Sequence, residues 1–235
     1  QPSGYRPISL LPVFSKLLEK IIAKRLKSIL EECGFFNDFQ AGFRGGFCTG
    51  DQVLRLIHDI KQNDQNKNYT LAAFFDVEKA FDKVWHEGIL FKLQQLGING
   101  ILLDWFRDYL HNRAQRVVIK GQKSDWGLIE AGVPQGSVLG PLLFIVYIND
   151  LADVVDCNIK MFADDTCLYI NVDDKTRVQT AADAVNQDLV NLSQWANQWL
   201  VKFNATKKIC ANEQKKHKKY NLKLVYYLPH PSFAS

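Results

Sequence analysis

The chain is poor in the features that define several protein classes. Its five cysteines, Cys33, Cys48, Cys157, Cys167 and Cys210, are odd in number, and none lies in a Cys-x-x-Cys pair. That argues against a disulfide framework or a zinc knuckle and suits a reducing compartment. The longest apolar run, "VLGPLLFIVYI" at 138–148, is too short to span a bilayer and ends in Asn149-Asp150. No internal repeat is present. There is no signal peptide and no initiating methionine, so a fragment of a longer chain is expected. The main body also lacks a net positive charge. Of the net charge of +4, residues 207–223 supply +6 through seven lysines and Glu213, which leaves −2 elsewhere. Bulk attraction for nucleic acid therefore resides in that segment.

What is present is ordinary for a globular protein: 235 residues, 47% hydrophobic and 23% charged, enough for one large or two small domains. Leu17, Leu18, Ile21, Ile22, Leu26, Ile29 and Leu30 recur at helical spacing, with Gly34 as a stop. Thr49 and Gln52 are spaced as a capping box for the next helix. "YTLAAFFDV" (69–77) reads as a buried strand. Residues 86–97 and 100–110 read as helices, and 115–132 as a hairpin turning near Gly121. "VPQGSVLGP" reads as a loop, "LLFIVYINDLADVV" begins as a buried helix, and 180–203 reads as a long amphipathic helix. Beyond Lys208 no periodicity survives until a short apolar stretch at 222–228. The Lys-rich segment there is expected to be mobile.

"MFADDTCLYI" (161–170) sets two aspartates among apolar β-formers. If 159–163 and 166–170 are antiparallel strands, Asp164-Asp165 lies at the hairpin tip. Adjacent carboxylates repel unless a cation neutralises them, and hard divalent ions prefer carboxylate oxygen. A plain surface turn is the simpler reading of an isolated Asp-Asp. Asp76 changes the balance, because it ends another buried strand. Three converging carboxylates could hold two Mg²⁺ ions ~3.5–4 Å apart, the spacing for in-line phosphoryl transfer.

Six blocks, in order, resemble the reverse transcriptase domain of non-LTR retrotransposons, the LINE-like and jockey-like elements. They are "YRPISLLPVFSKLLEKII", "QAGFRGGFCTGDQ", "FFDVEKAFDKVWHEGIL", "GVPQGSVLGPLLFIVYINDL", "MFADDTCLY" and "WANQWLVKFNATK", and the resemblance covers about residues 5–208. The resemblance implies an α+β fold: a right-hand polymerase palm, an antiparallel sheet with packed helices, carrying fingers. It places fingers at 1–70, palm at 71–84, a fingers insertion at 85–139, palm at 140–208 and a divergent Lys-rich tail at 209–235. The thumb is absent or unrecognisable, and the family's next strand is not recognisable after Lys208.

The resemblance further implies RNA-directed DNA polymerase activity, adding dNTPs to a DNA primer 3′-hydroxyl on an RNA template, inside the cell and with no membrane partner. It assigns Asp76, Asp164 and Asp165 to two Mg²⁺ ions, with Mn²⁺ a substitute, and the Val77 carbonyl as an additional ligand. Arg6 would hold the triphosphate, Gln135 and Gly136 would lie against the nucleotide, and Phe81 would gate its sugar unless it is simply core. Lys207 either protonates the leaving pyrophosphate or belongs to the basic tail. Arg44 has no assigned role. Trp195 and Trp199 share a helical face, which packing explains better than base stacking. Cys48 and Cys167 read as small buried residues. The sequence departs from the family at Phe47, Cys48, Gly45-Gly46 and Ala205. A truncated, inactive element remnant is the alternative. A different palm enzyme, such as a nucleotide cyclase, is disfavoured by the Pro-Gln-Gly block.

Overall fold

The structure is a computed structural model. It describes residues 7–65 and 68–204, together with two strands beyond them. In chain order the elements are α1 (Val13–Glu32), α2 (Thr49–Gln65), β1 (Tyr69–Asp76), α3 (His86–Gln95), α4 (Ile101–Leu110), β2 (Arg113–Gln115), β3 (Val118–Ile119), β4 (Gln122–Lys123), β5 (Gly127–Ile129), α5 (Gly140–Ile148), β6 (Asn158–Phe162), β7 (Asp165–Val172), α6 (Val178–Gln198), β8 (Ile209–Asn212) and β9 (Leu222–Val225). They form two compact units, each built from two separated segments: Gln1–Phe35 with Lys79–Ile148, and Phe36–Glu78 with Asn149–Ser235.

The second unit is a five-stranded antiparallel sheet in the order β6-β7-β1-β8-β9. The central strand β1 is apolar almost throughout because it is buried on both faces. One face packs Ala72, Cys167 and Tyr169 against Leu56 of α2. There the Tyr169 hydroxyl donates to Asp59 at 2.5 Å. Helix α6 also packs on β1 and β7. Its Trp195 and Trp199 are both buried, and Trp195 Nε1 donates to Asp150, so packing accounts for them.

Three expectations are corrected in this unit. β8 pairs with β1 and β9 pairs with β8, although no strand was legible after Lys208. A strand added to a sheet edge is held by backbone bonds and needs no side-chain periodicity. The cap of α2 is shifted by one residue: Asp51 accepts the Cys48 backbone N–H at 2.7 Å. That bond lowers the Asp51 carboxyl below its ordinary range. Gln52 instead donates to the Phe39 carbonyl. Cys48 is exposed, whereas Cys167 is buried as expected. Of the Lys-rich segment expected to be mobile, residues 207–208 and 213–221 lie outside the described residues.

The first unit is mostly helical. Helix α5 is apolar and buried from Leu142 to Ile148, and it packs on α3. The expected hairpin is present as two nested ladders, β2 with β5 and β3 with β4. Lys120 and Gly121 both have positive φ, 50° and 82°, as a type I′ turn requires. Helix α1 differs from its apolar stripe. It buries Leu26 and Leu30 together with Glu19, and leaves Leu17, Leu18, Ile21 and Ile29 exposed. A carboxylate can face inward only where hydrogen-bond donors await it, and they do.

In the second unit Asp188 is buried on α6. It accepts the backbone N–H groups of Asp156 at 3.0 Å and Cys157 at 2.8 Å. Burial, reinforced by the Asp188 hydrogen bond and charge, pushes the Cys157 thiol up to about 12. Iodoacetamide at pH 8 should therefore modify Cys33 and Cys48 in the native protein and spare Cys157 and Cys167 until denaturant is added. Mass mapping that finds Cys157 alkylated as fast as Cys48 would show that this packing is wrong.

Candidate active site

Asp76 is the last residue of β1 and pairs directly with Asp165, the first residue of β7. Asp165 also pairs with Phe162 across the hairpin. The turn is therefore Ala163-Asp164, one residue earlier than the sequence suggests, because only two residues join the strands. Only the first of the two has a positive φ, 55° at Ala163, the pattern of a type II′ turn. The backbone also fixes the closeness of the pair. The Asp76 carbonyl accepts the Asn204 N–H at 2.9 Å on its other side. Hydrogen-bonding groups of one residue face one side, so Asp76 and Asp165 form a non-hydrogen-bonded pair. Such pairs have Cα atoms ~4.5 Å apart and side chains on the same face.

Val77 is buried and bridges Phe203. That bridge is made by the Glu78 N–H to the Lys202 carbonyl and the Asn204 N–H to the Asp76 carbonyl. It leaves the Val77 carbonyl facing the β7 side. Asp76 and Asp164 are half-buried and Asp165 is exposed. Hard oxygen donors and directly opposed like charges fit a divalent cation. The backbone brings the three aspartates to one end of the sheet. Their carboxylates are not closed into a ligand set: among the described residues no three His, Cys, Asp or Glu side chains are gathered to hold a metal ion.

A segment that sequence reasoning left without a role grips this turn. Gln40 is fully buried. Its Oε1 accepts the N–H of Ala163 at 3.0 Å and of Gly42 at 2.7 Å. Arg44 is spent internally, donating to the carbonyls of Asn37 and Gln40 and lying over the rings of Phe36 and Phe47.

The first unit carries Phe81, Gln135 and Gly136. Phe81 sits in a turn, half-buried, with its ring stacked on Phe144 at 5.0 Å. Its carbonyl accepts the Val133 N–H at 2.7 Å. Gly132, next to it, has φ 95°, and a Cβ there would lie 2.7 Å from the Asp82 carbonyl oxygen. Gln135 Nε2 donates to Asp82 Oδ1 at 2.6 Å, and its carbonyl accepts the Ser9 N–H at 2.8 Å. Gly136 has φ 93°, and a Cβ there would press on the Ser9 carbonyl oxygen at 3.4 Å, so glycine suits it. Arg6 and Lys207 lie outside the described residues.

The loop around Gln135 is anchored at the start of α5. Ser137 Oγ accepts the Gly140 N–H at 2.8 Å. Glu19 Oε2 accepts the N–H groups of Val138 at 2.8 Å and Leu139 at 3.1 Å. Three helix-start donors that would otherwise be unmet are thus satisfied. The positive end of the helix dipole also favours the Glu19 carboxylate. Nothing in the periodicity of α1 marks Glu19. Its signal is an acid between apolar residues on an inward face. Glu19→Ala should destabilise the protein by about 3 kcal/mol in urea unfolding, because the buried Leu139 N–H and the half-buried Val138 N–H lose their acceptor. Glu19→Gln keeps an acceptor and should cost less than half of that.

Comparison with known proteins follows the same lines. Residues 1–220 match the family model described as "Reverse transcriptase (RNA-dependent DNA polymerase)". The chain is 38% identical over 213 residues to the probable RNA-directed DNA polymerase from transposon X-element of Drosophila melanogaster, covering 88% of this chain and 23% of that protein. It is 36% identical over 217 residues to the RNA-directed DNA polymerase from mobile element jockey of the same organism, covering 89% and 23%. The chain thus spans about a quarter of the length of these relatives. Among solved structures, apo telomerase from Candida tropicalis, truncated from its C-terminal domain, matches with a TM-score of 0.54 at 12% identity, over 88% of this chain and 43% of that one. That likeness bears on the fold alone and agrees with a polymerase palm. No helix among the described residues is long and apolar enough to cross a membrane. On the family match and the retrotransposon relatives, the chain belongs to the reverse transcriptase family, as a domain of the non-LTR retrotransposon type.

Proposed function

We propose that this chain is the polymerising domain of an RNA-directed DNA polymerase. It extends a DNA primer on an RNA template with dNTPs, in the service of retrotransposition. The observation that carries the reading is the direct cross-strand pairing of Asp76 with Asp165, with Asp164 in the turn beside them. Like charges so placed destabilise a sheet unless they serve a cation.

In the reaction the primer 3′-oxygen forms a bond to the α-phosphorus of the dNTP while the bond to the bridging oxygen breaks. The 3′-hydroxyl loses its proton and pyrophosphate leaves. Two divalent ions, Mg²⁺ or Mn²⁺ in its place, would supply the charge that activates the hydroxyl and stabilises the departing pyrophosphate. Asp76 and Asp164 would hold both, with Asp165 and the Val77 carbonyl completing the oxygen set. The orientation of that carbonyl toward the β7 side supports this assignment. Arg6 is assigned to the triphosphate, where a planar guanidinium suits phosphate oxygens, and Lys207 to proton donation toward pyrophosphate. Gln135, steadied by Asp82, and Gly136 would lie against the nucleotide. Phe81, braced on Phe144, would meet a ribose 2′-hydroxyl sterically and tolerate its absence.

Primer extension on poly(rA)/oligo(dT) with Mg²⁺ tests this reading. Asp164→Asn should lower the rate by more than the ~100-fold that loss of an outer-shell partner costs, with the fold intact by circular dichroism. Extension that survives this change, or that proceeds without a divalent ion, would dismiss the mechanism.

Phe81→Val should raise the use of rNTPs relative to dNTPs by about tenfold or more while leaving the Mg²⁺ requirement in place. A folded, active Phe81→Val variant with the parental rNTP/dNTP ratio would show that Phe81 is core and not a gate.

A further inference from the structure

We infer that Gln40 is a positioning residue: it sets the conformation of the Ala163-Asp164 turn, and through it the placement of the Asp164 carboxylate. The inference rests on the reading of Asp164 as a metal ligand and adds what holds that ligand in place.

The turn contains a conformational problem. Ala163 has φ 55°, a region that residues with a Cβ avoid. A turn of this kind ordinarily takes glycine at that position. An alanine there persists only where its surroundings over-determine it. Gln40 supplies that restraint. Its carboxamide lies along the Ala163 peptide groups: Oε1 accepts the Ala163 N–H at 3.0 Å, and Nε2 reaches the Ala163 carbonyl at 3.5 Å, the outer limit of a hydrogen bond. The orientation of the amide follows from chemistry. Two backbone N–H groups, of Ala163 and Gly42, converge on one atom, and only the carbonyl oxygen can accept both.

The segment that carries Gln40 is itself fixed to β6. The Met161 N–H donates to the Phe39 carbonyl at 2.8 Å and the Ala41 N–H to the Met161 carbonyl at 3.0 Å, making a parallel bridge between Gln40 and Met161. From the other side Gln52 donates to the Phe39 carbonyl at 2.9 Å and Arg44 donates to the Gln40 carbonyl at 3.2 Å. The approach is so close that a Cβ at Gly42 would lie 2.3 Å from the Ala163 nitrogen. Each residue of the Gln-x-Gly-x-Arg pattern thus has a mechanical part. Gln40 holds the turn, Gly42 leaves room for it and Arg44 holds Gln40. A glutamine also suits this place electrostatically, because it offers an acceptor oxygen without adding a negative charge beside a carboxylate-bearing turn.

Gln40→Met preserves volume and removes both polar atoms. In the full chain, hydrogen–deuterium exchange at the Ala163 amide should accelerate by about tenfold or more, while Leu168 in the middle of β7 keeps its protection. In primer extension the same variant should lose roughly 10–100-fold in kcat. The KM for dNTP should stay near the parental value, and the half-saturating Mn²⁺ concentration should rise. A residue that only stabilised the fold would lower the melting temperature and leave the Mn²⁺ dependence of the folded protein unchanged. Gln40→Glu keeps the acceptor for both N–H groups, so it should retain Ala163 protection; this comparison decides the matter if Gln40→Met does not fold. Unchanged Ala163 exchange in Gln40→Met, lost protection in Gln40→Glu, or parental kcat and Mn²⁺ dependence in a folded Gln40→Met would each overturn the inference. If the parent chain neither binds Mn²⁺ nor extends a primer, the metal reading fails, and the exchange measurement still decides whether Gln40 holds the turn.

Discussion

The register between β1 and β7 is the constraint on which the second unit depends. Side chains alternate across a strand, so a slip of one residue would move every side chain to the opposite face, into packing shaped for its neighbour. Tyr69 opposite Val172 at one end and Asp76 opposite Asp165 at the other are therefore set together. The hydrophobic interior between them enforces the pairing of two carboxylates that repel each other. Burial of Leu71, Ala73, Cys167 and Leu168 holds in place a pair of charges that no local preference would choose. The unit is stabilised by its middle and carries its unfavourable charge pair at its end.

The short motifs are then parts of one another's support. The Gln40 segment is bonded to the turn that carries Asp164. The loop of Gln135 is held by Asp82, six residues after Asp76 in sequence, and by Glu19 from α1. Segment 202–204 backs Asp76 and Glu78 along their other side. These bonds join residues 53 to 128 positions apart. They are made largely to backbone groups, whose demand for a partner does not depend on side-chain identity.

That explains which features could be read from the sequence. The aspartates stand out because charge amid apolar β-formers has few causes, and Asp76 because it terminates an apolar run. The helices and the hairpin at Gly121 follow from periodicity and turn chemistry. Gln40, Glu19, Asp82 and Asp188 could not be found that way. A polar residue is read by default as facing water, and the N–H groups that recruit these four lie far off in sequence. The exposure of Cys48 is illegible for a related reason: burial depends on what packs over a loop, which local sequence does not state. The stripe of α1 misled because a helix can turn an acid inward when it serves as a cap. The strand at 209–212, paired with β1 on one side and β9 on the other, left no pattern because ladder pairing needs only backbone partners.

The discontinuity of the sheet has a consequence for how the protein is made. β1 emerges from the ribosome as an apolar strand, "YTLAAFFD", but its pairing with β7 is complete only when Val172 has been added. At about 5–20 residues per second, synthesis of the intervening chain takes on the order of 5–20 seconds. During that interval both edges of a strand destined for the centre of a sheet are open. The nascent protein therefore spends a long time, relative to folding events of microseconds to milliseconds, with an apolar strand unpaired. The same chain order that gathers distant aspartates leaves this strand without its partner until most of the domain has been translated.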